Sequence, residues 1–304
     1  MNTLILFPGQ GAQTIGMGRD LYDAYKEVRL LFEEGSNAAG ANIKKLVFDG
    51  TEEELKNTKN AQIALALADS AAALVLNLKG IEADGVAGFS LGEWAALCEA
   101  GVLPFDSMMR LVAERGRLMD EAGQRYGGSS MTAVLGLDAA ETEKALNGID
   151  EVWIANYNAP SQSVLSGTEA GLAKAEEAVK AAGAKRAVRL KVSAAFHSPI
   201  MRYAYDGFRE YLTDFDFLDP KKAFYSNVTG KRANSGAELK TLAAEQIISP
   251  VRWTDAEAAM AADTYDRILE AGPGAVLAGL WKSASLEPAV KAAFTMEQLE
   301  ALFL

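Results

Sequence analysis

The chain has 304 residues, 49% hydrophobic and 23% charged, a composition typical of a globular protein with a sizeable core. Its net charge of −11 argues against a non-specific nucleic-acid binder. Its single cysteine excludes an intrachain disulfide and a cysteine-rich zinc site, and it suits a reducing compartment.

The first third of the chain alternates predicted strands and helices. A short apolar run at residues 3–7 predicts a buried strand, and helical spacing follows at 20–34. The alanine-rich stretch 62–78 predicts a core helix, because its polar residues make a membrane span much less favourable. The N-terminus lacks the basic region and the long apolar run of a signal peptide. We therefore expect a soluble, cytoplasmic protein that does not bind membranes.

A second strand-to-helix unit follows at once. Residues 85–88 predict a short strand, and a helix is predicted from Ser90. Asp106 is predicted to cap a further helix that runs to about Ala122. Alternation of this kind indicates an α/β core with a largely parallel sheet.

The pattern changes after Gly123. The predicted elements then follow the order β-α-β-β-α-β, with strands at 131–135, 151–157, 161–165 and 185–191 and helices at 139–146 and 172–182. That order is typical of a ferredoxin-like unit. We predict a large domain formed by residues 1–123 and 192–304, with residues 124–191 inserted as a small ferredoxin-like subdomain. A helix predicted to open at Ser198 returns to the earlier pattern.

Residues 88–92, Gly-Phe-Ser-Leu-Gly, fit the pattern G-x-S-x-G at a predicted strand-to-helix turn. In a nucleophile elbow, the glycines allow the tight turn and the serine lies at a helix N-terminus, where backbone N–H groups favour an anion. This context favours Ser90 as a nucleophile and the N–H of Leu91 as an oxyanion donor. The alternative is a serine that merely caps a helix.

A serine nucleophile needs a base, and His197 is the only histidine in the chain. It lies where an extended segment meets a predicted helix, in a loop position typical of catalytic groups. No acidic residue stands out as its partner, so a backbone carbonyl could orient the ring. A solvent-exposed loop histidine is an equally good interpretation.

One cation falls on the apolar face of the helix predicted from Asp106. Arg115 shares its stripe with Met108, Leu111 and Leu118. A buried cation is costly unless it is paired, and a guanidinium matches a carboxylate through two parallel hydrogen bonds. Its partner is therefore either an internal Asp or Glu, which the sequence alone favours, or the carboxylate of a substrate.

A glycine-rich loop, Phe-Pro-Gly-Gln-Gly-Ala-Gln at residues 7–13, follows the first strand. It lacks the third glycine of a dinucleotide fingerprint and the Gly-Lys-Ser/Thr of a P-loop. Loops at the carboxyl ends of parallel strands are where such sheets bind ligands. Gln10 could present a second oxyanion donor, although a purely structural turn is the simpler alternative.

Seven segments fall in one order along residues 7–280: FPGQGAQ, GFSLGEWAAL, ERGRLM, NYNAPSQSVLSG, AFHSPIM, SPVRW and EAGPGAVLAGL. Together they resemble the malonyl-CoA:acyl carrier protein transacylases, the acyltransferase family of fatty-acid and polyketide synthesis. The resemblance implies a hydrolase-like α/β core with an inserted ferredoxin-like subdomain. It implies Ser90 as nucleophile, His197 as base and Arg115 as the group that holds the substrate carboxylate.

The resemblance also implies roles for residues that the sequence pattern alone does not single out. Gln10 and Leu91 match the oxyanion-hole positions, and Gln246 matches a residue whose main-chain carbonyl orients the histidine. Asn158 matches an asparagine near the site. Phe196 matches a phenylalanine that crowds out an α-methyl group, as in the malonyl-selective members. The usual histidine before the serine is replaced here by phenylalanine, which puts pocket shape in question rather than catalysis.

The activity implied is ping-pong transfer of a malonyl group from malonyl-CoA to the phosphopantetheine thiol of acyl carrier protein. No metal or further cofactor is implied, since CoA and phosphopantetheine enter as parts of the substrates. Strand alternation places Lys185, Arg189 and Lys191 on one face, which could dock an acidic carrier protein or could simply be solvated. We expect a monomer. The rival hypotheses are a serine esterase or thioesterase and a non-catalytic module that binds carrier protein or acyl-CoA.

Overall fold

The computed structural model describes residues 1–192 and 194–303. The strands are β1 Thr3–Phe7, β2 Gly85–Gly88, β3 Ser129–Leu135, β4 Val152–Ala159, β5 Gln162–Thr168, β6 Arg186–Arg189, β7 Ala223–Tyr225, β8 Arg232–Ala233, β9 Arg267–Glu270 and β10 Val290–Ala292. The helices are α1 Arg19–Ala24, α2 Lys26–Ala39, α3 Ile43–Asp49, α4 Glu52–Lys56, α5 Thr58–Leu78, α6 Gly92–Glu99, α7 Phe105–Tyr126, α8 Ala139–Ala145, α9 Glu169–Ala181, α10 Arg202–Tyr211, α11 Gly236–Glu245, α12 Trp253–Ala262, α13 Val276–Ser283 and α14 Met296–Ala301.

The larger sheet has six strands in the order β10-β9-β1-β2-β7-β8. All neighbours pair in parallel except β7 and β8, which pair antiparallel. Strands β1 and β2 are buried along their whole length, because helices cover both faces of a parallel sheet. The prediction of a largely parallel α/β core is confirmed.

The smaller sheet has four antiparallel strands in the order β4-β5-β3-β6. Its elements follow one another as β-α-β-β-α-β, and helices α8 and α9 pack on it around a separate apolar cluster. This is the predicted ferredoxin-like unit, so the predicted fold class is confirmed. The domain boundaries after Gly123 and Lys191 stay predictions.

Three local predictions need correction. The helix expected over residues 20–34 is two helices, because Tyr25 is extended between α1 and α2. Asp106 lies in the first turn of α7, whose N-cap is Pro104, so the helix begins earlier than the polar residue suggested. The helix expected to open at Ser198 begins as a 3₁₀ turn, Pro199–Met201, ahead of α10; Ser198 is the N-cap by position, while its hydroxyl donates to Ala195 O.

Helix α5 forms the centre of the main core, as its composition predicted. Within the described residues it is the one helix long and apolar enough to cross a membrane, and 78% of its most apolar window is buried inside the protein. A mostly buried helix of this kind is also what the core of a globular protein requires.

Parallel pairing brings the carboxyl ends of β1, β2 and β9 to the same edge of the sheet. The loop after β1 contains Gln10, the turn after β2 contains Ser90, and Gly272 follows β9. Ligands bind at this edge in open α/β sheets. The sheet therefore gathers chain-distant loops at one place.

Candidate active site

The turn between β2 and α6 is a nucleophile elbow. Ser90 has φ 51°, a left-handed conformation that costs a non-glycine residue energy and is typical of functional sites. A Cβ on Gly88 would lie 2.0 Å from the carbonyl carbon of Gly92, and one on Gly92 would lie 2.1 Å from the carbonyl oxygen of Phe7. Both glycines are therefore required by the close approach of strand, turn and helix.

An asparagine from a distant loop fixes the elbow. The backbone N–H of Ser90 donates to Asn227 Oδ1 at 2.6 Å, and Asn227 Nδ2 donates to Gly88 O at 2.7 Å. These two bonds hold both sides of the turn while leaving the serine hydroxyl free for a different partner.

That partner is the sole histidine. Ser90 Oγ lies 2.7 Å from His197 Nε2, and His197 Nδ1 lies 2.8 Å from the main-chain oxygen of Gln246. A carbonyl oxygen only accepts hydrogen bonds, so Nδ1 carries the proton and Nε2 is left to accept from the serine. The arrangement is that of a serine nucleophile with an oriented general base.

The environment keeps this base neutral. Burial, and after it the positive charge of Arg115, lower the pKa of His197 from 6.5 to about 4, and the carbonyl of Gln246 opposes them only in part. At neutral pH the ring is therefore unprotonated and able to take a proton from Ser90 Oγ.

Arg115 is 1% exposed, yet its partners are neutral. Its two terminal nitrogens donate to Gln62 Oε1 at 2.7 Å and to Gln246 Oε1 at 2.9 Å, and its Nε has no partner among the described residues. The predicted internal Asp or Glu partner is wrong, because two amides take its place. The guanidinium stays charged, since burial lowers its pKa only to about 10.

Ser90, His197 and Arg115 line one cavity of about 310 Å³. Its other walls are largely apolar and come from both sheets and their helices: Met119, Met131, Val164, Leu190, Val192 and Leu280. A guanidinium with no acid in direct contact among the described residues, a serine hydroxyl and a neutral imidazole thus share a mostly apolar enclosure, where electrostatic interactions are stronger than in water.

The two predicted oxyanion donors have free amides within the described part of the chain. Gln10 lines the cavity, while Leu91 directly follows the serine as the N-cap of α6. Neither backbone N–H is engaged in a hydrogen bond there. Backbone donors at the start of a helix are suited to stabilise negative charge that develops beside the serine.

Three further predicted residues line the same cavity. Asn158 is buried, and its Oδ1 has no partner among the described residues. Phe196 is buried beside His197. Phe89 is half-buried, with its ring centroid 5.4 Å from that of Trp253 in an edge-to-face contact. Phe89 thus adds apolar surface next to the nucleophile.

A family model described as an acyl transferase domain matches residues 4–295. The malonyl CoA-acyl carrier protein transacylase of Bacillus subtilis is 39% identical over 281 residues, covering 91% of this chain and 88% of the relative. The chain belongs to the malonyl-CoA:acyl carrier protein transacylase family. The sequence resemblance is therefore confirmed at the level of the family.

Solved structures of the family share the fold. The malonyl CoA-acyl carrier protein transacylase of Coxiella burnetii superposes with a TM-score of 0.95 at 31% identity, covering 99% of this chain and 96% of that one. A type II PKS acyl-carrier protein in complex with its malonyl-transacylase gives a TM-score of 0.94 at 35% identity, with 99% and 98% covered. Both sheets are thus features of the transacylase fold.

The basic face was predicted on a strand over residues 185–191, but β6 covers only Arg186–Arg189, so Lys185 and Lys191 flank the strand. Lys185 and Lys191 are exposed. Arg189 donates to Glu176 and, at 2.7 Å, to Glu169, both on α9. These acids neutralise the guanidinium, so within the described residues this segment has two unpaired cations, Lys185 and Lys191, in place of the predicted three.

Sequence reasoning missed three polar residues of the site: Gln62, Glu93 and Asn227. Glu93 left a signal, since it is a carboxylate on an apolar helix just after the elbow, and it is 5% exposed. Burial raises its pKa to about 7 against the pull of its hydrogen bonds and of Arg115. Gln62 and Asn227 left no such signal, because uncharged amides in segments far apart in the sequence form no recognisable motif.

The single histidine gives a direct test of the site's electrostatics. In the untagged protein, the imidazole ¹⁵N signals of His197 should titrate near pH 4. Arg115→Gln should move this midpoint upward, because it removes the positive charge that, after burial, lowers the pKa of His197. Arg117→Gln, on the exposed side of α7 and paired with Glu114 and Glu121, is the matched control.

An unshifted midpoint near 6.5 in the wild type would contradict the buried neutral base.

The lowered pKa of His197 also predicts that the free energy of unfolding falls as the pH drops from about 6.5 toward 4, which acid unfolding followed by circular dichroism measures. The unfolded chain binds a proton in this window that the folded chain excludes.

Proposed function

We propose that this protein transfers the malonyl group of malonyl-CoA to the phosphopantetheine thiol of an acyl carrier protein through a malonyl-serine intermediate. The observation that carries the proposal is Arg115, a buried cation held by two neutral amides in the cavity of Ser90 and His197. Such a cation is costly to bury without a counter-ion, and the free carboxylate of a malonyl group would supply one.

In the first half-reaction, the malonyl carboxylate binds Arg115 and the thioester carbonyl carbon meets Ser90 Oγ. His197 Nε2 takes the serine proton as the oxygen–carbon bond forms, and the N–H groups of Gln10 and Leu91 stabilise the oxyanion. The carbon–sulfur bond then breaks. His197 returns its proton to the departing CoA thiolate, which leaves a malonyl ester on Ser90.

The second half-reaction reverses these steps with a different thiol. The phosphopantetheine sulfhydryl loses its proton to His197 as sulfur attacks the ester carbonyl, and the proton passes to Ser90 Oγ as the ester breaks. Thioester and ester are close in energy, so we expect no metal or further cofactor. The apolar walls around the ester would keep water from competing with the thiol.

Intact-mass spectrometry of the acid-quenched protein tests the proposal. Malonyl-CoA should add the mass of one malonyl group, and carrier protein bearing phosphopantetheine should then remove it and gain the same mass. Apo carrier protein, which lacks the thiol, is the control. Loss of the adduct to water at an equal rate with and without the carrier would instead identify a thioesterase. No adduct would identify a binding module.

Lys185 and Lys191 are our proposed contacts for the acidic carrier protein, since both are exposed and neither has an ion-pair partner among the described residues. Reversing both to glutamate should raise the KM for carrier protein by about 3- to 10-fold, with a weaker effect at high salt. Formation of the malonyl-enzyme should not change, because neither lysine lines the cavity.

The matched control reverses Lys26 and Lys231, two exposed lysines on the large α/β part of the chain. An equal rise in KM for this pair would mean that net charge alone is responsible, and the docking face would be rejected. We also expect a monomer in the cytoplasm.

A further inference from the structure

One buried carboxylate bonds both to the residue that fixes the elbow and to the residue that orients the histidine. Glu93 Oε1 accepts the backbone N–H of Asn227 at 2.7 Å, and its Oε2 accepts the side-chain Nε2 of Gln246. Asn227 is the residue that holds the elbow at Ser90 N and Gly88 O. Glu93 is therefore one hydrogen bond away from the residue that fixes the nucleophile.

Gln246, the second partner, bonds to the histidine, to the arginine and to the main chain of the serine. Its main-chain oxygen accepts from His197 Nδ1, its Oε1 accepts from Arg115, and its Nε2 donates to Ser90 O at 3.0 Å as well as to Glu93. An amide has one acceptor end and one donor end. The direction in which the Gln246 amide points thus decides whether Arg115 meets an oxygen or an NH₂ group.

We propose that Glu93 is a positioning residue for acyl transfer: it sets the direction of the Gln246 amide and, through Asn227, the elbow. The inference rests on the proposed function but concerns a residue outside the catalytic groups, since Glu93 does not line the cavity. Both oxygens of Glu93 face donors, so the ionised form, which only accepts, suits this position, and the test is made at pH 8.5, above its pKa of about 7.

Replacing the Glu93 carboxylate by an amide should reverse the direction of the Gln246 amide. In Glu93→Gln, the backbone N–H of Asn227 cannot reverse, so the introduced oxygen stays with it and the introduced NH₂ group faces Gln246. Gln246 must then turn its oxygen toward that group, which presents its own NH₂ to Arg115 and its oxygen to Ser90 O. Both new contacts are repulsive, and the first lies at the carboxylate-binding group.

The test measures kcat/KM for malonyl-CoA and acetyl-CoA in the intact protein. Glu93→Gln should lower the malonyl value by about 10- to 100-fold and the acetyl value by at least fivefold less. Gln246→Met keeps the main-chain carbonyl but removes the side-chain amide. When Glu93→Gln is introduced into Gln246→Met, the malonyl and acetyl values should fall equally, because the amide that transmits the effect is absent. Glu257→Gln is the matched control, a buried glutamate whose hydrogen bond is to Trp253 Nε1.

Equal losses on both substrates, or a bias that persists with Gln246→Met, would overturn the inference and leave Glu93 a structural residue. If Glu93→Gln does not fold, Glu93→Asp carries the same test, because it withdraws both acceptors by one methylene without losing the charge. Absence of a malonyl adduct in the wild type would instead reject the proposed function, so the two failures are distinguishable.

Discussion

Ser90→Ala should abolish formation of the malonyl-enzyme and lower carrier malonylation by about 10⁴-fold or more, and His197→Ala should do nearly the same. In the proposed mechanism the hydroxyl forms the ester, and His197 is the base that lies within hydrogen-bond distance of it among the described residues. The two losses should not add in the double variant, because nucleophile and base act as one unit. Quenched-flow assay of carrier malonylation, with intact-mass detection, measures both.

Ser90→Ala leaves the elbow itself in place, since Asn227 holds the serine through its backbone N–H. Substrate binding should therefore survive, and malonyl-CoA should still raise the melting temperature of the variant. Ser70→Ala, which removes a hydroxyl bonded to Ala66 O within α5, is the control for a serine outside the site. A malonyl adduct on Ser90→Ala would show that a different residue is the nucleophile.

Arg115→Ala should lower kcat/KM for malonyl-CoA by about 10²- to 10³-fold, which corresponds to about 3–4 kcal/mol for two charge-assisted hydrogen bonds. Acetyl-CoA has no carboxylate to lose, so its rate should stay level or rise. The preference between the two substrates should therefore shrink or reverse. Competition assays with both thioesters in one tube, followed by mass analysis of the acyl-enzyme, report the ratio directly.

Arg115→Lys separates charge from geometry. A lysine keeps the positive charge but cannot form two parallel bonds, so most of the malonyl preference should be lost even though the cation remains. Arg117→Ala is the matched control on the same helix: it removes two exposed ion pairs, with Glu114 and Glu121, and should change the rate with neither substrate. Equal losses of malonyl and acetyl transfer in Arg115→Ala would reject a role in carboxylate binding.

Much of the fold was predictable, because the periodicity of apolar residues indicates the elements and glycine and proline mark where they end. Apolar runs that end in Pro-Gly or Gly-x-Ser located β1 and β2, and the element order alone indicated the ferredoxin-like unit. The errors are local. Tyr25 interrupts a continuous helical pattern, and the helix named after Asp106 begins at Phe105. Tertiary packing sets such boundaries, and it leaves little trace in the local sequence.

The site was predictable only in its charged and reactive members. A sole histidine, a serine between glycines and an arginine on an apolar stripe each violate a local rule, and such violations are expected at functional sites. The sequence favoured an acid as the partner of Arg115, whereas the structure places Gln62 and Gln246 there. Neutral amides leave no mark in a charge pattern, and topology alone brings them together.

Arg115 is held by the neutral amides of Gln62 and Gln246, and its charge therefore acts on the nearby imidazole of His197. After burial, the charge of Arg115 is the second cause that lowers the pKa of His197 to about 4, so the imidazole on its own is a weak proton acceptor. A bound malonyl carboxylate would cancel that charge and strengthen the acceptor at the moment of attack. Acetyl groups and water bring no such counter-charge. The substrate would then activate the imidazole that acts on it, and selectivity would be expressed in turnover as well as in binding.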